Sequence, residues 1–113
     1  MNLVKYETLD QIAFAKKLAE IPFIDSKRIG IWGWSFGGHM ASHCLLTAND
    51  TFAMAVAVAP VTNWRFYDTI YTERFMRTPQ ENPSGYDLNS PLNYADQLKG
   101  KFLIIHGSAD ENI

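Results

Sequence analysis

Six residues, Gly33-Trp34-Ser35-Phe36-Gly37-Gly38, constrain this chain more than any other stretch. Before them stands Arg28-Ile29-Gly30-Ile31-Trp32, short, β-branched and apolar enough for a buried parallel strand; after them His39 to Leu46 can run as a helix. A G-x-S-x-G pattern is common by chance, but between a strand and a helix it has a physical purpose. A serine at such a corner adopts strained backbone angles that point its Oγ away from the sheet. The flanking glycines remove the Cβ atoms that would collide where strand and helix nearly touch. Gly33, Gly37 and Gly38 are expected to supply that clearance. The same corner aims the backbone N–H of Phe36 at the space above Ser35, where the oxyanion of an acyl-transfer intermediate would form. The plainer reading is a glycine-rich turn that only packs a helix against a strand.

The remainder must build a sheet around that turn. With 113 residues, 47% of them hydrophobic, there is material for one modest core and not for two domains. Ten basic and twelve acidic side chains leave a net charge of −2 with no run of one sign. Neither nucleic acid nor an anionic membrane surface is suggested, and a small or peptidic partner fits better. No window reaches the roughly 20 apolar residues of a membrane span, and Met1 to Tyr6 lacks the apolar stretch of a leader, so the segment is expected to carry no targeting signal. The single cysteine, Cys44, is expected to be a small buried hydrophobe on the helix after the turn.

Along the chain, Glu7 to Glu20 reads as an amphipathic helix with Leu9, Ile12, Ala13 and Ala19 inward and Lys16, Lys17 and Glu20 outward. Pro22 follows it. Asn49-Asp50 breaks the second helix before Phe52 to Ala59, a second buried strand closed by Pro60. A long excursion from Val61 to Gly100 follows, aromatic at first and rich in Pro, Asn, Ser and Gly from Pro79 to Pro91. Lys101 to His106 is the third buried strand. Strand, helix, strand, excursion, strand implies a parallel sheet with right-handed crossovers and a site at its carboxyl edge.

At that edge Asp110 is the carboxylate placed just past a strand, in the loop Gly107-Ser108-Ala109-Asp110. In the order nucleophile, acid, histidine of α/β-hydrolase folds, it would orient the catalytic imidazole. The alternative is a turn residue whose carboxylate caps its own loop. His39, His43 and His106 are read as packing or surface residues, because none lies where that order puts the base. His39 and His43 have metal-compatible spacing, but no carboxylate or thiol ligand accompanies them, so neither metal nor cofactor is expected.

These residues carry a resemblance. The turn, together with Ala59-Pro60-Val61-Thr62-Asn63-Trp64, Tyr67-Asp68-Thr69-Ile70-Tyr71-Thr72-Glu73-Arg74-Phe75-Met76 and His106 to Asn112, resembles the catalytic domain of the prolyl oligopeptidase family. Within that family the chain looks most like the bacterial dipeptidyl peptidase IV branch, and Pro79 to Pro83 resembles the bacterial members. Phe36 stands where many relatives have tyrosine, and Ile113 where valine is usual.

The resemblance implies an α/β-hydrolase fold, truncated at both ends over 1–113, without the triad histidine or the propeller domain. It implies Ser35 as nucleophile, Asp110 as the acid and Phe36 N–H as one oxyanion donor, the second being a tyrosine hydroxyl outside this segment. Val61, Trp64, Tyr67 and Tyr71 resemble the pocket that holds a proline ring. Residues 64, 67 and 71 also fall on one face of a short helix, which an ordinary core stripe would do as well. Asn112 resembles the amide that binds the carbonyl of the penultimate residue, and Arg74 a neighbour of the site for the substrate amino terminus. The implied activity is release of N-terminal X-Pro dipeptides by acyl transfer, from peptide substrates with penultimate proline. A homodimeric parent in the periplasm or cell envelope is implied too. Release of tripeptides, esterase activity and a non-catalytic hydrolase-like interaction domain are the alternatives. The 113-residue chain alone is expected to be inactive and to associate.

Overall fold

Three parallel strands, β1 (Gly30–Trp34), β2 (Met54–Val58) and β3 (Lys101–Ile105), pair in the order β1-β2-β3, with Trp34 opposite Val58 and Val58 opposite Ile105. All three therefore end level with one another, directly before Ser35, Ala59 and His106. The structure, a computed structural model, describes all 113 residues. Its helices are α1 (Lys5–Leu18), α2 (Phe36–Thr47), α3 (Thr69–Met76) and α4 (Pro83–Leu88), and two 3-10 segments cover Trp64–Phe66 and Pro91–Gln97. None is long and apolar enough to cross a membrane.

Helix α2 lies on one face of the sheet against β1 and β2, and α1 packs on α2. The small side chains of Ala55 and Ala57, both fully buried, let α2 come close. Met40, Ala41, Cys44 and Leu45 from α2 then join Val4, Ala15, Phe52, Val61, Trp64, Met76 and Tyr86 in one core. Cys44 is fully buried as expected, and burial pushes its thiol up to about 11, far from the thiolate a nucleophile needs.

Within this chain only one face of the sheet is covered, so the strands read as buried are buried on the α2 side alone. Alternation places Trp32, Trp34, Leu103 and Ile105 on the other face, and all four are exposed. His106, expected inside the third strand, lies just past its end and is exposed. β1 begins two residues later than expected and runs through Gly33 and Trp34 to the serine itself.

In α1 the inward residues are Thr8, Ile12 and Ala15, whereas Leu9 and Ala13 are exposed, against expectation. α1 meets a helix and not a sheet, so only a narrow stripe is covered, and Leu9 is one helical step beyond it. The excursion is ordered by caps. Asn63 Oδ1 accepts from Arg65 N–H at 3.0 Å, and Asp68 Oδ1 accepts from Tyr71 N–H at 2.8 Å, starting the 3-10 turn and α3 respectively. Asn82 Nδ2 donates to Met1 O at 2.7 Å and to Met76 O at 3.0 Å, tying the excursion to the start of the chain.

Candidate active site

Ser35 sits between β1 and α2 with φ 55° and ψ −114°, a region that L-residues rarely occupy. Such a conformation costs on the order of 1–3 kcal/mol and persists only where the surroundings dictate it. Here they do. Ser35 N–H donates to Val58 O at 2.8 Å, and Ser35 O accepts from His39 N–H at 3.0 Å as the first turn of α2 closes. A Cβ on Gly33 would lie 2.3 Å from the Gly37 carbonyl carbon and oxygen, and one on Gly38 would lie 2.9 Å from Val58 O and 3.1 Å from Pro60 Cα. Those two glycines supply the clearance. Gly37 does not: a Cβ there would meet nothing within 4 Å, so its part is to be the backbone that Gly33 must avoid. Phe36 opens α2, and the N–H groups of a helix's first turn have no acceptor within the helix.

Beside this corner is a cavity of about 260 Å³ lined by Trp34, Ser35, Phe36, Val61, Trp64, Tyr67 and Tyr71. The four wall residues read from the sequence thus come together at the serine, but not on one helical face. Trp64 opens the 3-10 turn, Tyr67 and Asp68 are extended, and Tyr71 lies in the first turn of α3. The rings nonetheless interlock: Trp64 stacks on Tyr71 with centroids 5.8 Å apart, and Tyr67 meets Trp64 at 5.8 Å and Tyr71 at 5.6 Å, edge to face. Burial, reinforced by Tyr67 and Glu7, raises the Tyr71 phenol above its ordinary value, so it remains a neutral hydroxyl.

The other anticipated residues lie outside this cavity. Asp110 is exposed, and its Oδ1 accepts from the N–H groups of Asn112 at 3.0 Å and Ile113 at 3.3 Å, which is the turn-capping arrangement; its Oδ2 makes no hydrogen bond. Asn112 is exposed in the same turn. Arg74 borders a neighbouring groove that shares Tyr67 and Tyr71 as its wall, with its guanidinium 5.7 Å from the Phe75 ring centroid. No group of three or more His, Cys, Asp or Glu side chains gathers in the fold.

A family model described as the prolyl oligopeptidase family matches residues 1–113, the whole of the sequence that carries this corner and cavity. The chain belongs to the prolyl oligopeptidase family. The crystal structure of Porphyromonas gingivalis dipeptidyl peptidase 4 superposes on it with a TM-score of 0.96 and 54% identity, over 100% of this chain and 16% of that one. "Probable dipeptidyl-aminopeptidase B" of Emericella nidulans is 51% identical over 99% of this chain and 13% of its own length. The protein of the same description from Aspergillus clavatus is 53% identical over 99% of this chain and 12% of its own length. The chain therefore spans between roughly an eighth and a sixth of the length of these relatives. Its three parallel strands with flanking helices are a portion of the α/β-hydrolase fold of this family.

Within this family member, sequence reasoning missed three contributors to the site. Trp34 was read as part of the turn and is the last residue of β1, where it lines the cavity. Phe36 was credited only with its N–H, yet its ring stands 5.9 Å from Trp64 and forms part of the wall. His39 was read as packing. It is fully buried, and its Nδ1 lies 2.6 Å from Val61 O. Burial pushes its pKa down to about 4, and burial lowers that of His43 to about 4 as well, so both rings are neutral at pH 7.

Proposed function

We propose that the protein carrying this chain is a serine peptidase that releases N-terminal dipeptides with penultimate proline, and that Ser35 is its nucleophile. The observation that carries the reading is the position of Ser35, held in strained backbone at the mouth of a cavity walled by flat rings. A pyrrolidine is rigid and flat-sided, so rings in crossed orientations hold it at little entropic cost. The names of the relatives, dipeptidyl peptidase and dipeptidyl-aminopeptidase, support the dipeptide length.

In the proposed reaction the Ser35 Oγ–C bond forms at the prolyl carbonyl as its proton passes to a histidine outside this chain. Phe36 N–H, at the start of α2, donates to the developing oxyanion. The histidine then protonates the leaving amine as the C–N bond breaks, and water releases the dipeptide by the reverse sequence. Asp110 is the acid of this arrangement. Its turn follows β3 while Ser35 follows β1, two strand spacings or roughly 10 Å apart, which leaves room between them for an imidazole. Oδ1 is engaged by its own turn, so the loop fixes the carboxylate and leaves Oδ2 free to accept from an imidazole Nδ1–H.

The test is Ser35→Ala in the full-length protein. It should abolish labelling by a fluorophosphonate probe and lower kcat on a Gly-Pro fluorogenic substrate by several orders of magnitude, with the thermal midpoint nearly unchanged. Labelling that survives the substitution would refute the assignment.

A further inference from the structure

We propose that His39 is a positioning residue of this site, its Nδ1–H holding the Val61 carbonyl and so fixing the wall against which the acyl-side residue of the substrate packs. The proposal rests on the functional reading above. His39 is one helical turn beyond Ser35, and Val61 is 22 residues further along the chain. A carbonyl oxygen only accepts, so at 2.6 Å the proton is on Nδ1 and Nε2 is the bare nitrogen of a neutral ring. Nε2 is buried and makes no hydrogen bond of ordinary geometry, although the Asn89 main chain, like that of Val61, is a polar neighbour that favours the protonated ring. A buried nitrogen without a well-formed hydrogen bond is unfavourable, and a phenylalanine of similar breadth would avoid it. What the imidazole offers in exchange is the bond to Val61.

That bond is one of three ties between the serine corner and the segment leaving β2. Ser35 N–H donates to Val58 O, Gly38 abuts Val58 O and Pro60, and His39 holds Val61. Between the first and third ties the chain turns through Ala59, at φ 41°, so the segment is bent away from the sheet just where the wall begins. The His39 ring also lies 5.0 Å from Trp64 and stacks 6.4 Å from Phe36, both lining the cavity. One side chain thus couples the helix at the nucleophile, with its own wall residue Phe36, to the wall residues Val61 and Trp64. Displacements of about 1 Å in such a wall are enough to change turnover.

The experiment is steady-state kinetics of the full-length protein on matched substrates with proline or alanine on the acyl side of the cleaved bond, normalised to serine sites titrated by fluorophosphonate. His39→Phe keeps the ring and removes the donor; His39→Asn sets an amide N–H where Nδ1 was. His39→Phe should lower the proline-to-alanine ratio of kcat/KM roughly tenfold, and His39→Asn should recover most of it. An unchanged ratio in His39→Phe, or equal losses in both variants, would overturn the proposal, because a residue that only fills volume lowers stability without changing the ratio. Nitrogen-15 shifts of the wild-type ring give an independent reading that needs no variant. A protonated Nδ1 supports the proposal and a protonated Nε2 overturns it. A wild-type protein that fails to react with the probe would instead refute the functional reading itself.

Discussion

The main-chain N–H of Ser35 donates to the carbonyl of Val58 at 2.8 Å, one residue beyond the last paired position of β1. The strained serine is therefore an extension of the sheet ladder and not a free loop. One strand further on, Ala59 N–H donates to Ile105 O at 2.7 Å, so the carboxyl edge is stitched across all three strands. That rigidity lets φ 55° persist at a residue with a Cβ.

The corner tolerates change very unevenly. Gly33→Ala would place a Cβ 2.3 Å from the Gly37 backbone, which cannot give without unseating the helix from the strand. It should destabilise the protein by about 2–4 kcal/mol and abolish fluorophosphonate labelling. Gly37→Ala meets no atom within 4 Å, and its φ is not positive. It should leave stability unchanged or raise it by about 0.5 kcal/mol through helix propensity. Thermal melts and labelling of the two variants side by side check this, and equal damage would contradict the geometry.

Selectivity should reside in the ring cluster. In the full-length protein, Tyr67→Ala or Tyr71→Ala removes an edge-to-face partner from a wall that Trp64 alone cannot maintain. Loss of kcat/KM should be roughly 10- to 100-fold for a Gly-Pro substrate and several-fold smaller for a small acyl ester, since only the first must seat a proline. Equal losses on the two substrates would make the cluster a core stripe.

Acid should act through the two buried histidines. Both are neutral in the folded state with pKa values near 4, whereas an exposed histidine titrates near 6.5. Below 6.5 the unfolded chain binds protons that the fold does not. Stability is thus complete above 6.5 and declines as pH falls toward about 4, by on the order of 3 kcal/mol per histidine. Asp25 and Glu81, with pKa values lowered from 3.8 and 4.5, add to this only at lower pH, so the interval from 6.5 to 5 isolates the histidines. Denaturant midpoints across that interval should slope in the wild type and flatten in His39→Phe/His43→Leu; an equal slope in both would assign the effect elsewhere.

What the sequence made legible was local steric necessity. A serine between glycines, with a strand before and a helix after, has few ways to fold, and the parallel order followed from strand and helix lengths. Which glycine is indispensable was not legible, because the approach of Gly33 to Gly37 depends on the final angle between β1 and α2. The aromatic triplet was marked by the family resemblance, and the spacing that stood beside it suggested the wrong geometry. Asn63 and Asp68 held the corrective signal, since each precedes a helical start as a side-chain cap and together they divide the stretch in two. His39 could not have been read locally, as its partner is 22 residues away across the sheet edge. Leu9 misled because apolar spacing marks a face but not what that face meets.

The uncovered sheet face yields the last prediction. Trp32 is 74% exposed and Leu103 53%, on a face with Trp34 and Ile105, and β1 and β3 each have one unpaired edge. Contiguous apolar surface of this kind is rare on monomers, and open parallel edges add main-chain donors and acceptors that pair with other chains. The 113-residue chain on its own should therefore associate at micromolar concentration. It should also lack peptidase activity, since His39 and His43 are buried and His106 lies beyond β3, two strands from Ser35. Trp32→Lys together with Leu103→Lys should shift the mass measured by light scattering toward the monomer by charging that face, without touching the corner. A wild-type chain that is already monomeric would mean that edge and face are too small to drive association. Turnover of a Gly-Pro substrate that disappears with Ser35→Ala would mean that one of the three histidines reaches the serine after all.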